Sequence, residues 1–120
     1  MSLRLWTIDI DARDPHTLGH WWADVLHWKI FYEGDDEVVV TTPGEQYPGL
    51  VFLKVPEPKT VKNRLHLDFA PDDRDIEVER LVRLGARKVD VGQTGDETWV
   101  VLADPEGNEF CVLSARDGGL

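Results

Sequence analysis

His66 is the side chain of this sequence best suited to chemistry at neutral pH. An imidazole donates and accepts hydrogen bonds, carries a proton and ligates metals. Three readings stand open for it: metal ligand, polar anchor or general base in a ligand pocket, and structural histidine satisfied by a neighbour. Asp68 follows two residues later, so the two share one face of a strand. Thr7 and Asp9 repeat that spacing near the N-terminus. Cys111 is the single cysteine. A lone thiol is either a small buried hydrophobe or, beside a histidine, an activated nucleophile. Trp28 and Trp99 begin strands near turns, where they either stack on a flat ligand or pack at a rim.

These residues need elements to position them. Leu3, Leu5, Thr7 and Asp9 alternate with Arg4, Trp6, Ile8 and Ile10, which predicts a strand over residues 3–10. The second, more apolar set should lie under a helix. Asp14-Pro15 is a helix start, with an N-cap acceptor and then proline where its missing N–H costs nothing. Leu18, Trp21, Trp22, Val25 and Leu26 form one apolar stripe, and the helix should end near His27. Strands are expected over Trp28–Glu33, Glu37–Thr42 and Leu50–Val55, with Gly34-Asp35-Asp36 as a turn. Pro56–Asn63 reads as a connector. The same order then recurs: strand Arg64–Ala70, a helix capped at Asp72-Asp73 with Val78, Leu81 and Val82 facing inward, and Gly85 as C-cap. Strands follow at Arg87–Val91, Thr98–Ala103 and Glu109–Ser114. They are joined by turns over Gly92–Asp96 and Asp104–Asn108, and Ala115–Leu120 should fray.

The recurrence has an offset of 59 residues. It lays Thr7–Ala12 over His66–Pro71, with Asp9 on Asp68. It also lays Lys29-Ile30 over Lys88-Val89, and Leu50–Leu53 over Glu109–Val112. One offset serving several strands argues for a duplicated unit. The expected architecture is a single α+β domain: module one over 3–56, connector 57–63, module two over 64–115. Each sheet would be covered by its helix on one face, and the other faces would curve around a cleft.

Composition narrows the function. The 120 residues carry 13 basic and 23 acidic side chains, a formal charge of −10. That charge repels phosphate backbones and anionic bilayers, so no nucleic acid and no membrane are expected as partners. Cationic or neutral small molecules are easier ligands. No apolar run approaches the roughly 18 residues of a membrane span. Residues 1–6 carry one arginine and no apolar core, unlike a signal peptide. With one cysteine and no disulfide, a cytoplasmic setting is the expectation.

Several segments resemble the glyoxalase/bleomycin resistance protein/dioxygenase family, the vicinal oxygen chelate superfamily, and within it the glyoxalase-like subgroup. Val25-Leu26-His27-Trp28 resembles the end of its first helix. Lys62–Asp68 resembles the strand opening its second module. Trp99–Phe110, with the pattern D-P-x-G-N-x-F, resembles its closing strand-turn-strand. The resemblance implies paired βαβββ modules forming a curved mixed sheet, an open barrel around a cleft, and commonly a homodimer. It implies a divalent metal in many members, held by the first and last strands of each module and polarising substrate oxygens as a Lewis acid. Other members bind no metal.

On this chain the family's ligand positions fall on Thr7, Phe52, His66 and Cys111. Phe52 has no donor atom and Thr7 only a neutral hydroxyl. No metal ligand set and no cofactor are therefore expected. The resemblance also brings Cys111 near His66. The expected site comprises Thr7, Asp9, Phe52, His66, Asp68, Trp99 and Cys111, with His66 as the candidate catalytic group. The expected function is small-molecule binding by a glyoxalase-like protein lacking the full metal site. The alternatives are a metal-dependent lyase, isomerase or dioxygenase, and a resistance protein that sequesters an antibiotic without chemistry.

Overall fold

The computed structural model describes residues 3–89 and 98–115. The chain divides into two compact units, Met1–Pro58 and Lys59–Leu120. The first contains β1 (Thr7–Ala12), α1 (Pro15–Leu26), β2 (Lys29–Glu33), β3 (Glu37–Thr41) and β4 (Gly49–Lys54). The second contains β5 (Leu67–Phe69), α2 (Arg74–Leu84), β6 (Arg87–Lys88), β7 (Val100–Ala103) and β8 (Glu109–Val112). Both sheets are mixed, in the orders β1-β4-β3-β2 and β5-β8-β7-β6. The first strand of each unit runs parallel to its last; the other pairs are antiparallel. The α+β class and the repeated βαβββ order are as the sequence predicts.

Local chemistry starts and stops the helices. The Asp14 carboxylate accepts from the Thr17 N–H at 3.1 Å, and Pro15 fills the first turn. At the other end His27 turns left-handed, with φ 55°, and the Trp28 N–H closes back on the Ala23 carbonyl at 2.9 Å. Asp73 caps α2 through the Ile76 N–H, and Gly85 ends it at φ 119°, a conformation glycine adopts without a Cβ clash.

In the first unit the core lies between α1 and one sheet face. Leu18, Trp22 and Val25 meet Val38, Val40, Leu50 and Phe52, all buried. The approach is close: a Cβ on Gly19 would stand 2.7 Å from Val38 Cγ1 and 3.4 Å from Phe52 Cδ2. In the second unit Val78 and Leu81 of α2 are buried with Leu102, Phe110 and Val112, and Phe110 meets Phe69 edge-on.

Several expectations are corrected. β1 begins at Thr7, so Trp6 precedes the strand; it is 75% exposed and does not pack under α1. Val82 is 43% exposed rather than inward-facing. β5 spans only Leu67–Phe69, so His66 stands just before it. β6 covers Arg87–Lys88, and the expected turn over Gly92–Asp96 lies outside the described residues.

The repeat offset is also corrected on the last strand. Ile8 pairs with Leu50, and Leu67 with Phe110. The first strands are therefore offset by 59 (67 − 8) and the last strands by 60 (110 − 50). A one-residue slip turns every side chain to the opposite face. Phe52, expected on the ligand side, is 0% exposed in the core beneath α1. Val51 takes its place as the partner of Cys111 in the repeat.

Candidate functional site

The sheet face of the first unit turned away from α1 carries a concavity of about 650 Å³. Strand alternation builds its floor. Thr7 and Asp9 come from β1, Gly49, Val51 and Leu53 from β4, and Glu37, Val39 and Thr41 from β3. Their registers set them side by side: Asp9 by Val51, Val51 by Val39, and Val39 by Tyr32. A β-bulge between Ile30 and Tyr32 interrupts the alternation of β2. Phe31 and Tyr32, adjacent in sequence, therefore both line the concavity. Trp6 and Tyr47 complete an aromatic wall, with the Arg4 guanidinium 5.2 Å from the Tyr47 ring centroid.

Three carboxylates reach this surface, each in a different state. Asp9 accepts from the Thr7 hydroxyl at 2.9 Å. Glu45 is paired with Lys29. The half-buried Glu37 has no side-chain partner among the described residues. A carboxylate set among Val39, Val51 and Leu53 favours a cationic group on whatever binds there.

The second unit brings other expected residues together. His66, Asp68 and Cys111 each offer a donor atom, and these atoms lie within 4.8 Å of one another. His66 Nε2 is 3.5 Å from Asp68 Oδ1. Asp68 and Cys111 are register partners across β5 and β8. His66 and Asp68 are exposed, whereas Cys111 is 5% exposed. Burial pushes the Cys111 thiol up to about 11, and the neighbouring Asp68 carboxylate adds to the rise. The thiol is therefore protonated near neutrality, the opposite of an activated nucleophile. Trp99 stands 42% exposed just before β7.

Glu109 shares the Cys111 face of β8 but is committed elsewhere. Its carboxylate accepts from Lys59 Nζ and from the Asn63 N–H, both at 2.8 Å. Burial raises its pKa, but these two donors, its own backbone N–H and the Lys59 charge together outweigh burial and hold it below the usual carboxylate range. Glu109 thus ties the connector to the end of β8.

The family's metal positions do not fit as a set. Within the first unit the two places are Thr7 and, by register, Val51; the expected Phe52 is buried on the other face, and neither Val51 nor Phe52 carries a donor. Among the described residues only the second unit supplies nitrogen, oxygen and sulfur donors together. Trp6, Phe31, Tyr32, Glu37, Tyr47 and Val51 lie outside the expected site residues. Alternation does mark Val39 and Val51 as partners on one face, but no sequence signal marks the bulge that brings Tyr32 onto that face beside Phe31.

A profile of the glyoxalase-like domain matches residues 7–113. No curated protein is significantly similar in sequence. Among solved structures, a glyoxalase/bleomycin resistance protein/dioxygenase family enzyme from Burkholderia phytofirmans PsJN is similar at a TM-score of 0.69 and 19% identity, over 92% of this chain and 97% of that one. The fosfomycin resistance protein FosX from Listeria monocytogenes, complexed with Mn(II) and sulfate, gives 0.73 and 14%, over 98% and 94%. The bleomycin resistance determinant encoded on transposon Tn5 gives 0.62 and 15%, over 95% and 99%. At these identities the likeness is one of fold.

Proposed function

This chain belongs to the glyoxalase-like domain family of the vicinal oxygen chelate superfamily, and on that premise we propose that it binds a small organic molecule on the open sheet face of its first unit. The observation that carries the reading is the concavity of about 650 Å³ walled by Trp6, Phe31, Tyr32 and Tyr47. Its size falls in the range of ligand pockets, which are mostly apolar with a few placed polar groups. The rings suit a flat or aromatic ligand. Glu37, without a side-chain partner among the described residues, and the charge of −10 suit a cationic one. Two fold relatives are named as resistance proteins, which supports binding of a drug-like molecule as a sufficient role.

Calorimetry against matched cationic, neutral and anionic aromatic compounds tests the reading. The expected order is cationic, then neutral, then anionic. Tyr32→Ala should weaken all binders, and Glu37→Gln should weaken the cationic ones selectively. Binding that ignores both substitutions would remove the first unit from consideration.

Homodimerisation and a cytoplasmic setting belong to the same proposal. The exposed Val61 and Leu65 of the second unit support a partner surface, and the buried lone Cys111 supports a reducing compartment. Light scattering at micromolar concentration checks the dimer.

A further inference from the structure

Two imidazoles and one carboxylate converge on the α1 side of the first unit, away from the concavity. His16 and His20 are four residues apart on α1, so they stand one turn apart on the same helix face. Glu33, the last residue of β2, bridges them: its carboxylate is 2.6 Å from His16 Nδ1 and 3.1 Å from His20 Nε2. We propose that His16, His20 and Glu33 form a surface site for a zinc-type divalent cation, which clamps α1 to the β2–β3 hairpin.

The orientation of His16 carries most of the argument. Its Nε2 lies 3.1 Å from the Asp35 carbonyl oxygen. A carbonyl only accepts, so Nε2 holds a ring proton and donates it. Nδ1 is then the nitrogen that can take a further cation, and it faces a carboxylate. A bare lone pair would be repelled by that anion, so the contact requires a proton or a metal ion between the two groups. Ligating histidines are held in the same way, with the far N–H donated to a carbonyl or carboxylate that fixes the ring.

The donor set selects the ion. Two imidazoles and a carboxylate hold zinc and leave its fourth place to water. Imidazole nitrogen suits zinc, nickel and copper, whereas magnesium and calcium prefer oxygen. No lysine or arginine forms an ion pair with Glu33 among the described residues, so an entering ion displaces no fixed cation. Ligands of tetrahedral zinc stand about 3.3 Å apart, given bonds of about 2.0 Å, so the carboxylate draws back as the ion enters. The His20 side chain is 53% exposed and has room to swing toward His16. Any proton on His16 Nδ1 leaves to solvent, and its lone pair forms the metal–nitrogen bond.

Zinc titration of the full, chelator-stripped chain tests the site, followed by calorimetry and by the imidazole NMR resonances. The expected result is one equivalent that shifts the rings of His16 and His20 and leaves His27 unmoved. Excess magnesium should not displace it. His20→Ala and Glu33→Gln alter exposed side chains and should each weaken binding by more than about tenfold, at least the loss seen when an outer partner of a metal is removed. Zinc should raise the melting temperature of wild type and not that of His20→Ala, because the clamp exists only in the folded chain. His66→Ala should retain the bound equivalent. Folded wild type that takes up no zinc would overturn the proposal, as would affinity unchanged in His20→Ala. So would binding lost in His66→Ala and kept in His20→Ala. Binding of aromatic compounds in the concavity is read separately, so either result can fail without the other.

Discussion

Asp68 and Cys111 are direct partners across the parallel β5–β8 pair, and their counterparts in the first unit are Asp9 and Val51. A thiol beside a carboxylate in one unit is thus an isopropyl group beside a carboxylate in the other. The same register sends Phe52 into the core beneath α1. Phe52→Ala should lower unfolding free energy by about 3–5 kcal/mol, the range for truncating a buried phenylalanine. Urea denaturation checks this. Phe52→Leu, which keeps most of the volume, should fold and retain ligand binding. A loss of binding in that folded variant would return Phe52 to the site.

The sequence made the order of elements legible because its signals are local. Asp14-Pro15, Asp73 and Gly85 each mark a helix end through groups within one turn. Registers are not local. α1 has 12 residues and α2 has 11, so the repeat offset slips to 58 at Ile30 and Lys88 (88 − 30), partners of Val40 and Leu102. It rises to 62 at Val40 and Leu102 (102 − 40) and returns to 60 on the last strands. A single offset therefore places Asp9 and Asp68 correctly and Phe52 wrongly. Trp6 misleads for a different reason. It continues the alternation of Ile8 and Ile10 although the strand has not begun, and nothing in the pattern distinguishes an exposed aromatic from a buried one. His66, Asp68 and Cys111 were readable as chemically able residues. Their convergence depends on the β5–β8 pairing.

The outer surface of the first unit gives a pH-dependent contribution. Glu33 accepts from His16 Nδ1 at 2.6 Å and contacts His20 Nε2 at 3.1 Å, while His16 Nε2 reaches the Asp35 carbonyl at 3.1 Å. The hydrogen bond to Glu33, then that to Asp35, raises His16 above 6.5, with a smaller contribution from Asp14. The bonds from His16 and then His20 lower Glu33 below 4.5. A raised histidine stabilises fully below its unfolded pKa and loses that effect as pH rises through the folded value. A lowered glutamate stabilises above its unfolded pKa and loses that effect as pH falls. The stability difference between wild type and Glu33→Gln should therefore be greatest between about pH 4.5 and 6.5 and shrink on both sides. Thermal melts across pH 3–9 measure it; a flat difference would show that the contact is not formed.

The turn between β7 and β8 rests on a buried carboxylate. Asp104 is 1% exposed and accepts from the Glu106 and Asn108 N–H groups at 2.9 and 3.0 Å and from Asn108 Nδ2. Asp104→Ala leaves those donors without an acceptor and should cost about 1–3 kcal/mol. Gly107 adds a backbone requirement, at φ 92° with no atom within 4 Å of an added Cβ. Gly107→Ala should therefore cost about 1–2 kcal/mol through backbone strain alone. Chemical denaturation of both variants checks the two figures. Equal stability of Gly107→Ala and wild type would show that the turn relaxes.

The Lys59–Glu109 pair secures the segment that leads into His66. Both side chains are largely withdrawn from solvent, and Glu109 also accepts from the Asn63 N–H. Removing one partner strands the other, so Lys59→Met should destabilise by about 1–3 kcal/mol. The lysine stem keeps its packing in methionine, so the loss reports the charge. Lys59→Met combined with Glu109→Leu removes both charges and should recover part of that loss, since an apolar pair can replace a buried ion pair at little net cost. A double-mutant cycle read by denaturation gives the coupling. Additive effects would mean that the pair stabilises nothing. In that case His66 would be positioned by β5 alone.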